Sequence, residues 1–243
     1  MAGRLTTGGR KKLNLFSEKD MRPSYVIRIA TEGQKTEYMY FKNCFENKSS
    51  VLVLDILPAK DNKSDPASVL HRLLDSVNPD SEPVGEKSSP KTRRADEYWL
   101  VVDVDQFKKL PSIIQKAHDM GIKTAVSNLC FEIWLLMYST STLHADLLKE
   151  LDTDVADDLV QKLKKYDKNY QKGQLNETRY VKHKRAITNA KKLDTNKSAE
   201  IPDRPGTQVY KLVEVILDRL QRPLGNRVPA SRLPTDVRRA DTD

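Results

Sequence analysis

Two apolar, β-branched runs that each end on acids constrain this 243-residue chain more than any other feature. Tyr25-Val26-Ile27-Arg28-Ile29-Ala30-Thr31 runs into Glu32-Gly33, and Tyr98-Trp99-Leu100-Val101-Val102 runs into Asp103-Val104-Asp105. Short runs of this composition, closed by turn residues, read as buried strands. Behind the first, residues 35–47 carry Tyr38, Phe41 and Phe45 at helical spacing. The pattern recurs: residues 51–57 read as a strand and 66–77 as a helix, whose start is marked by Asp65 before Pro66. Residues 111–120 then read as a helix stopped by Gly121, and 122–126 as a short strand. This alternation predicts an α/β fold with a mainly parallel four-stranded sheet and helices on both faces. In such sheets ligands bind beyond the carboxyl ends of the strands, which puts Glu32 and Asp103 at one rim.

Around that core, 23–140, residues 1–22 read as a flexible basic arm, 141–222 as a helical extension and 223–243 as a disordered tail. Helices are expected at 130–139, 145–151, 155–166, 178–193 and 207–220, no strand is expected after Cys130, and the loop at 78–94 is expected to be disordered. The apolar run 131–138 is interrupted by Glu132 and is far short of the roughly 20 residues of a membrane span. The first residues lack the apolar stretch of a secretory signal, and Cys44 and Cys130 lack metal-ligand spacing, so a reducing cytoplasm is the expected compartment.

A net charge of +8 points to a polyanionic partner, because basic side chains gain affinity by releasing phosphate counterions. Residues 161–192 hold eleven Lys or Arg against two acids. Lys164, Lys165, Lys168, Arg179, Lys182, Lys184 and Arg185 are the candidate nucleic-acid contacts in this stretch. Tyr166, Tyr170 and Tyr180 interleave with them, either as stacking platforms for bases or as packing for the extension.

Asp103 and Asp105 are two apart at a strand end, so both side chains face one side of the pleat. Alone, such a pair reads equally as a turn with a helix cap. Glu32 breaks the tie, because three carboxylates with oxygen-only donors suit a hard ion, Mg²⁺ or Mn²⁺. No G-x-x-x-x-G-K-[ST] or dinucleotide fingerprint occurs, so ATP hydrolysis is not expected of this chain.

Thr31-Glu32-Gly33-Gln34-Lys35-Thr36-Glu37, with Tyr40-Phe41, Val102-Asp103-Val104-Asp105, Ser127-Asn128-Leu129-Cys130-Phe131-Glu132-Ile133-Trp134 and Arg204-Pro205-Gly206-Thr207-Gln208-Val209, resembles the RloB-like family over about residues 25–220. Leu129 departs from it, standing where the family often has proline. The resemblance implies a Toprim-like core with a metal site. It also implies a nuclease, endonuclease rather than exonuclease, acting on RNA (transfer RNA included) or DNA. Such a chain would serve as the effector of an antiphage abortive-infection system with an ABC-type ATPase partner, and self-association into a homo-oligomer is compatible with it. The competing expectation is a non-catalytic subunit that binds nucleic acid or a partner through the basic helices.

Within the motifs, Lys35 is placed to contact a phosphate. Glu37 serves the helix dipole or the site. Glu132 interrupts an apolar helix, and a buried carboxylate needs a partner or a metal; it is expected to bind a second metal or to anchor Lys35. Asn128 is expected to cap that helix through its side-chain oxygen.

Overall fold

The structure is a computed structural model that describes residues 25–45, 48, 52–59, 64–77, 95–104, 108–139, 156–168, 170–175 and 177–221, apart from the side chains of 139, 156, 157, 166 and 177. The N-terminal arm, the 78–94 loop, the helix expected at 145–151 and the C-terminal tail lie outside the described residues.

Five strands form one sheet: β1 Tyr25–Thr31, β2 Leu52–Leu57, β3 Glu97–Asp103, β4 Lys123–Asn128 and β5 Gly206–Thr207, in the order β2-β1-β3-β4-β5. β1 is central and parallel to both neighbours, with Ile27 opposite Leu54 on one side and Glu97 on the other. All its residues are buried, as expected of a parallel strand covered on both faces. β4 runs parallel to β3, with Asp103 opposite Ser127.

The fifth strand corrects the four-stranded expectation and the absence of strands after Cys130. β5 is two residues long and antiparallel to β4, pairing Thr207 with Ser127 and Gly206 with Asn128. A two-residue strand inside Arg-Pro-Gly-Thr has no alternation to read. It also explains why the last helix starts later than expected, at Val209 rather than at 207.

Seven α-helices are seen among the described residues: α1 Thr36–Phe45, α2 Pro66–Asp75, α3 Leu110–Asp119, α4 Glu132–Ser139, α5 Ala156–Tyr166, α6 His183–Leu193 and α7 Val209–Gln221. The helix expected over 178–193 is split, with a 3₁₀ turn at Glu177–Arg179 ahead of α6. α2 starts as its sequence signals: Asp65 accepts the Ser68 backbone N–H at 3.0 Å, and Pro66 occupies the first turn. Gly121, at φ +74°, follows α3 in the left-handed region that favours glycine.

The pleat of β1 divides the core. Val26 and Ala30 pack with Val69, Leu73 and Ile114 of α2 and α3 on one face. On the same face Arg28, buried, is held by Asp55 at 2.7 Å and by the Ser76 carbonyl at 2.6 Å. Ile27 and Ile29 pack on the other face with Tyr40 and Phe41 of α1, Trp134 of α4, Leu163 of α5, Ala190 of α6 and Val213 of α7. α4 is apolar nearly all round, so it must be enclosed, and α5 and α6 pack against it. The extension therefore shares the core of β1 and α1. No helix among the described residues is long and apolar enough to cross a membrane.

Candidate functional site: an acidic rim

β1 and β3 flank the point where the strand order reverses, the place where open α/β sheets form a crevice at their carboxyl ends. The backbone N–H of Glu32 donates to the Val101 carbonyl at 3.0 Å, holding Glu32 beside the end of β3. Its Oε2 then accepts the backbone N–H of Asp103 at 2.8 Å. Asp103 faces the α1–α4 side, and its Oδ2 accepts the Phe131 N–H at 3.1 Å, where the chain enters α4. Two of the expected ligands, Glu32 and Asp103, thus stand together; Asp105 lies outside the described residues.

Glu37 and Glu132 complete the cluster, and both are buried. Glu37, in the first turn of α1, accepts the Gly33 N–H on Oε1 at 3.0 Å. A Cβ at Gly33 would fall inside the Glu37 carboxyl group, so a larger residue there would displace that carboxyl. Glu132 opens α4 and accepts the Tyr170 hydroxyl on Oε1 at 2.9 Å. This corrects the expectation that Glu132 anchors Lys35: its partner is a tyrosine from the extension.

The four acids work against one another. Burial, then the charge of Glu132, pushes Glu37 up to about 7, against the opposing pull of the Gly33 N–H and Lys172. Burial, then the charges of Glu37, Glu32 and Glu132, holds Asp103 well above the carboxylate range, although the Phe131 N–H favours its ionised form. Cys130 is likewise pushed up by burial and by the neighbouring Glu132 and Asp103. The donors are all oxygens and in excess of local positive charge, a set that suits a hard divalent cation. As they stand, no three His, Cys, Asp or Glu side chains among the described residues are disposed to hold a metal ion.

A family model described as RloB-like protein matches residues 27–216, from β1 into α7 and across the whole acidic rim. The chain belongs to the RloB-like family. No curated protein and no solved structure matches it.

One further expectation for this RloB-like chain is corrected, and one open alternative is decided. Asn128 does not cap α4; its Nδ2 donates to the Pro202 carbonyl at 2.8 Å, and Asp103 takes the N–H at the helix entrance instead. Tyr170 and Tyr180 are only 3% and 2% exposed, so neither offers a face to a base. Tyr180 donates to Asp167 at 3.3 Å, and Tyr170 serves Glu132. The side chain of Tyr166 lies outside the described residues.

The basic residues of the RloB-like chain separate by helix position. Lys164 and Lys165 stand in the last turn of α5, where the helix dipole favours cations, so a structural reason suffices for them. Lys182, Lys184 and Arg185 stand at the start of α6, a turn without any acid, where each cation works against the dipole by about 0.3–1 kcal/mol. Lys168, Lys182 and Lys184 are exposed, Arg185 is half-buried, and Arg179 is engaged with Asp167 at 3.2 Å.

Lys35 is exposed beside the rim and makes no ion pair with Glu132. Sequence reasoning missed Tyr170 as the partner of Glu132. It also missed Lys172, counted only as one basic residue among many. No local pattern marks a hydroxyl whose acceptor lies 38 positions away.

Proposed function

We propose that this RloB-like chain is a metal-dependent nuclease with a Toprim-like core, in which Glu32, Asp103 and Asp105 hold Mg²⁺ or Mn²⁺. One observation carries the reading: acids from β1, α1, β3 and α4 converge at the switch-point rim, where Asp103 is crowded by three other carboxylates. Keeping like charges buried together costs stability, and a fold retains such a cost where function needs it. A bound divalent ion would offset that repulsion, polarise a phosphodiester and supply a hydroxide nucleophile. The chain's own residues have separate tasks. The Asp103 N–H fixes the Glu32 carboxylate, the Phe131 N–H fixes that of Asp103, and Tyr170 fixes that of Glu132. Lys35, exposed at the start of α1, is placed for a substrate phosphate. The family resemblance supports an endonuclease effector in cytoplasmic antiphage defence, paired with an ABC-type ATPase.

Incubation of the purified protein with Mg²⁺ or Mn²⁺ and a panel of total RNA, transfer RNA and plasmid DNA tests this reading. Cleavage of one substrate class is expected, and its loss in Asp103→Ala and Glu32→Ala with folding retained. Unchanged cleavage by both variants would remove the assignment.

A second reading has its own support: Glu32 and Asp103 already accept backbone N–H groups, as acids that staple a fold do. Under that reading the chain binds nucleic acid or a partner without cutting. Neutralising Lys182, Lys184 and Arg185 would then abolish function while the acid substitutions stayed silent.

A further inference from the structure

A tight turn from the extension, closed by a bridge between Gln171 and Gln174, reaches the acidic rim and is tied down at two points. Buried Tyr170 donates to Glu132 at 2.9 Å. Gly173, at φ +84°, lies against the side chain of Lys35 so closely that a Cβ would come within 2.8 Å of Lys35 Cβ. Only glycine allows both that backbone and that approach. Between the two anchors stands Lys172, exposed, its positive charge felt at Glu37.

Lys35, on the β1–α1 corner, and Lys172, on the turn that packs against its side chain, therefore stand side by side near the acid cluster. Neither forms an ion pair among the described residues. Lys123, by contrast, neutralises buried Glu97 by direct contact at 2.8 Å. Two exposed ammonium groups with no ion-pair partner among the described residues, beside a crowded acid site, are arranged to receive an anion from outside.

We propose that Lys35 and Lys172 form a clamp for a backbone phosphate of a nucleic acid lying across the rim, with Tyr170 as the positioning residue that seats the turn. The proposal rests on the reading of the rim as a nucleic-acid site. Two lysines give such a clamp charge without base readout, so it grips the backbone regardless of sequence.

The test is binding of a fluorescein-labelled single-stranded RNA to the full chain in EDTA, followed by anisotropy over a series of salt concentrations. Lys35→Ala and Lys172→Ala should each weaken binding several-fold and lower the slope of log K against log salt by about 0.7, the value for one lost single-strand contact. Lys172→Arg should retain both, and Lys116→Ala on α3 should match the parent. Tyr170→Phe should weaken binding at temperatures where the variant is fully folded, whereas a purely structural tyrosine would lower only the melting temperature. A parental slope in Lys172→Ala, or no binding by the parent chain, overturns the clamp. Clamp-dependent binding without cleavage in Mn²⁺ would instead remove the nuclease reading and leave the clamp in place. Cleavage with a parental slope in Lys172→Ala would do the reverse.

Discussion

Glu97 and Asp103 open and close the same strand, β3, and point toward the same face, yet their surroundings are opposite in sign. Glu97 receives Tyr25 at 2.8 Å, Trp99 at 3.0 Å, Lys123 at 2.8 Å and Arg219 at 3.4 Å. Burial alone would raise it, but the hydrogen bonds from Lys123, Tyr25 and Trp99 hold it below the usual carboxylate range. Asp103 receives one backbone N–H and sits among Glu37, Glu32 and Glu132. The first site is a finished ion network that clamps α7 to the sheet, with Arg219 stacked 4.2 Å from the centre of the Tyr25 ring. The second is crowded by like charges, and on the proposed reading a divalent cation completes it. One strand thus carries a structural acid at one end and the candidate chemistry at the other, and buried charge by itself does not tell the two apart.

The contrast breaks most visibly at Glu97. Glu97→Ala leaves Arg219, nearly buried, without its carboxylate, and removing one partner of a buried ion pair costs about 3–5 kcal/mol. Urea denaturation should show that loss, while the variant's activity per folded molecule stays parental.

The two ends also respond oppositely to pH. Glu97 is held low in the folded state, so its contribution is complete above its ordinary value of 4.5 and is lost as pH falls below it. Glu37 is held high, so its contribution is complete below 4.5 and is lost as pH rises toward about 7. At about 1.4 kcal/mol per pH unit of difference, the loss is on the order of a few kcal/mol. Stability curves against pH should therefore show Glu37→Gln equal to the parent below about pH 4.5 and more stable above neutrality. A variant less stable than the parent at every pH would show that the Glu37 charge is compensated after all.

A smaller effect sharpens the same point. Asp103→Asn removes a like charge from the cluster and keeps an oxygen for the Phe131 N–H. It should raise stability by about 0.5–2 kcal/mol above neutral pH while abolishing cleavage, the trade expected where a site is strained for function. Thermal melts beside the cleavage assay decide it.

Much of this was legible because strands that end on acids write the rim directly into the sequence. Glu32 and Asp103 were placed by topology alone, and Glu132 by its intrusion into an apolar helix. What escaped had non-local causes. β5 is defined by pairing with Ser127 and Asn128, not by its own residues. Asn128 was read as a cap because Ser-Asn precedes a helix, but the carbonyl of Pro202, 74 positions on, claims its amide. Whether Tyr170 and Tyr180 stack on bases or pack the extension stayed open in the sequence, because basic neighbours mask the fact that their rings are buried. Glu97 drew no notice at all, since its four partners come from β1, β3, β4 and α7.

The most direct test of the central claim, that the Asp103 end of β3 is completed by a divalent cation, is thermal unfolding at mildly alkaline pH with and without saturating Mn²⁺. Binding at a hundredfold excess over Kd contributes about 2.7 kcal/mol, which for a chain of this size raises the melting temperature by roughly 5–10 °C. The parent chain and Glu97→Gln should both show that rise, and Asp103→Asn should not. A parent chain indifferent to Mn²⁺, or an equal rise in Asp103→Asn, would contradict the account.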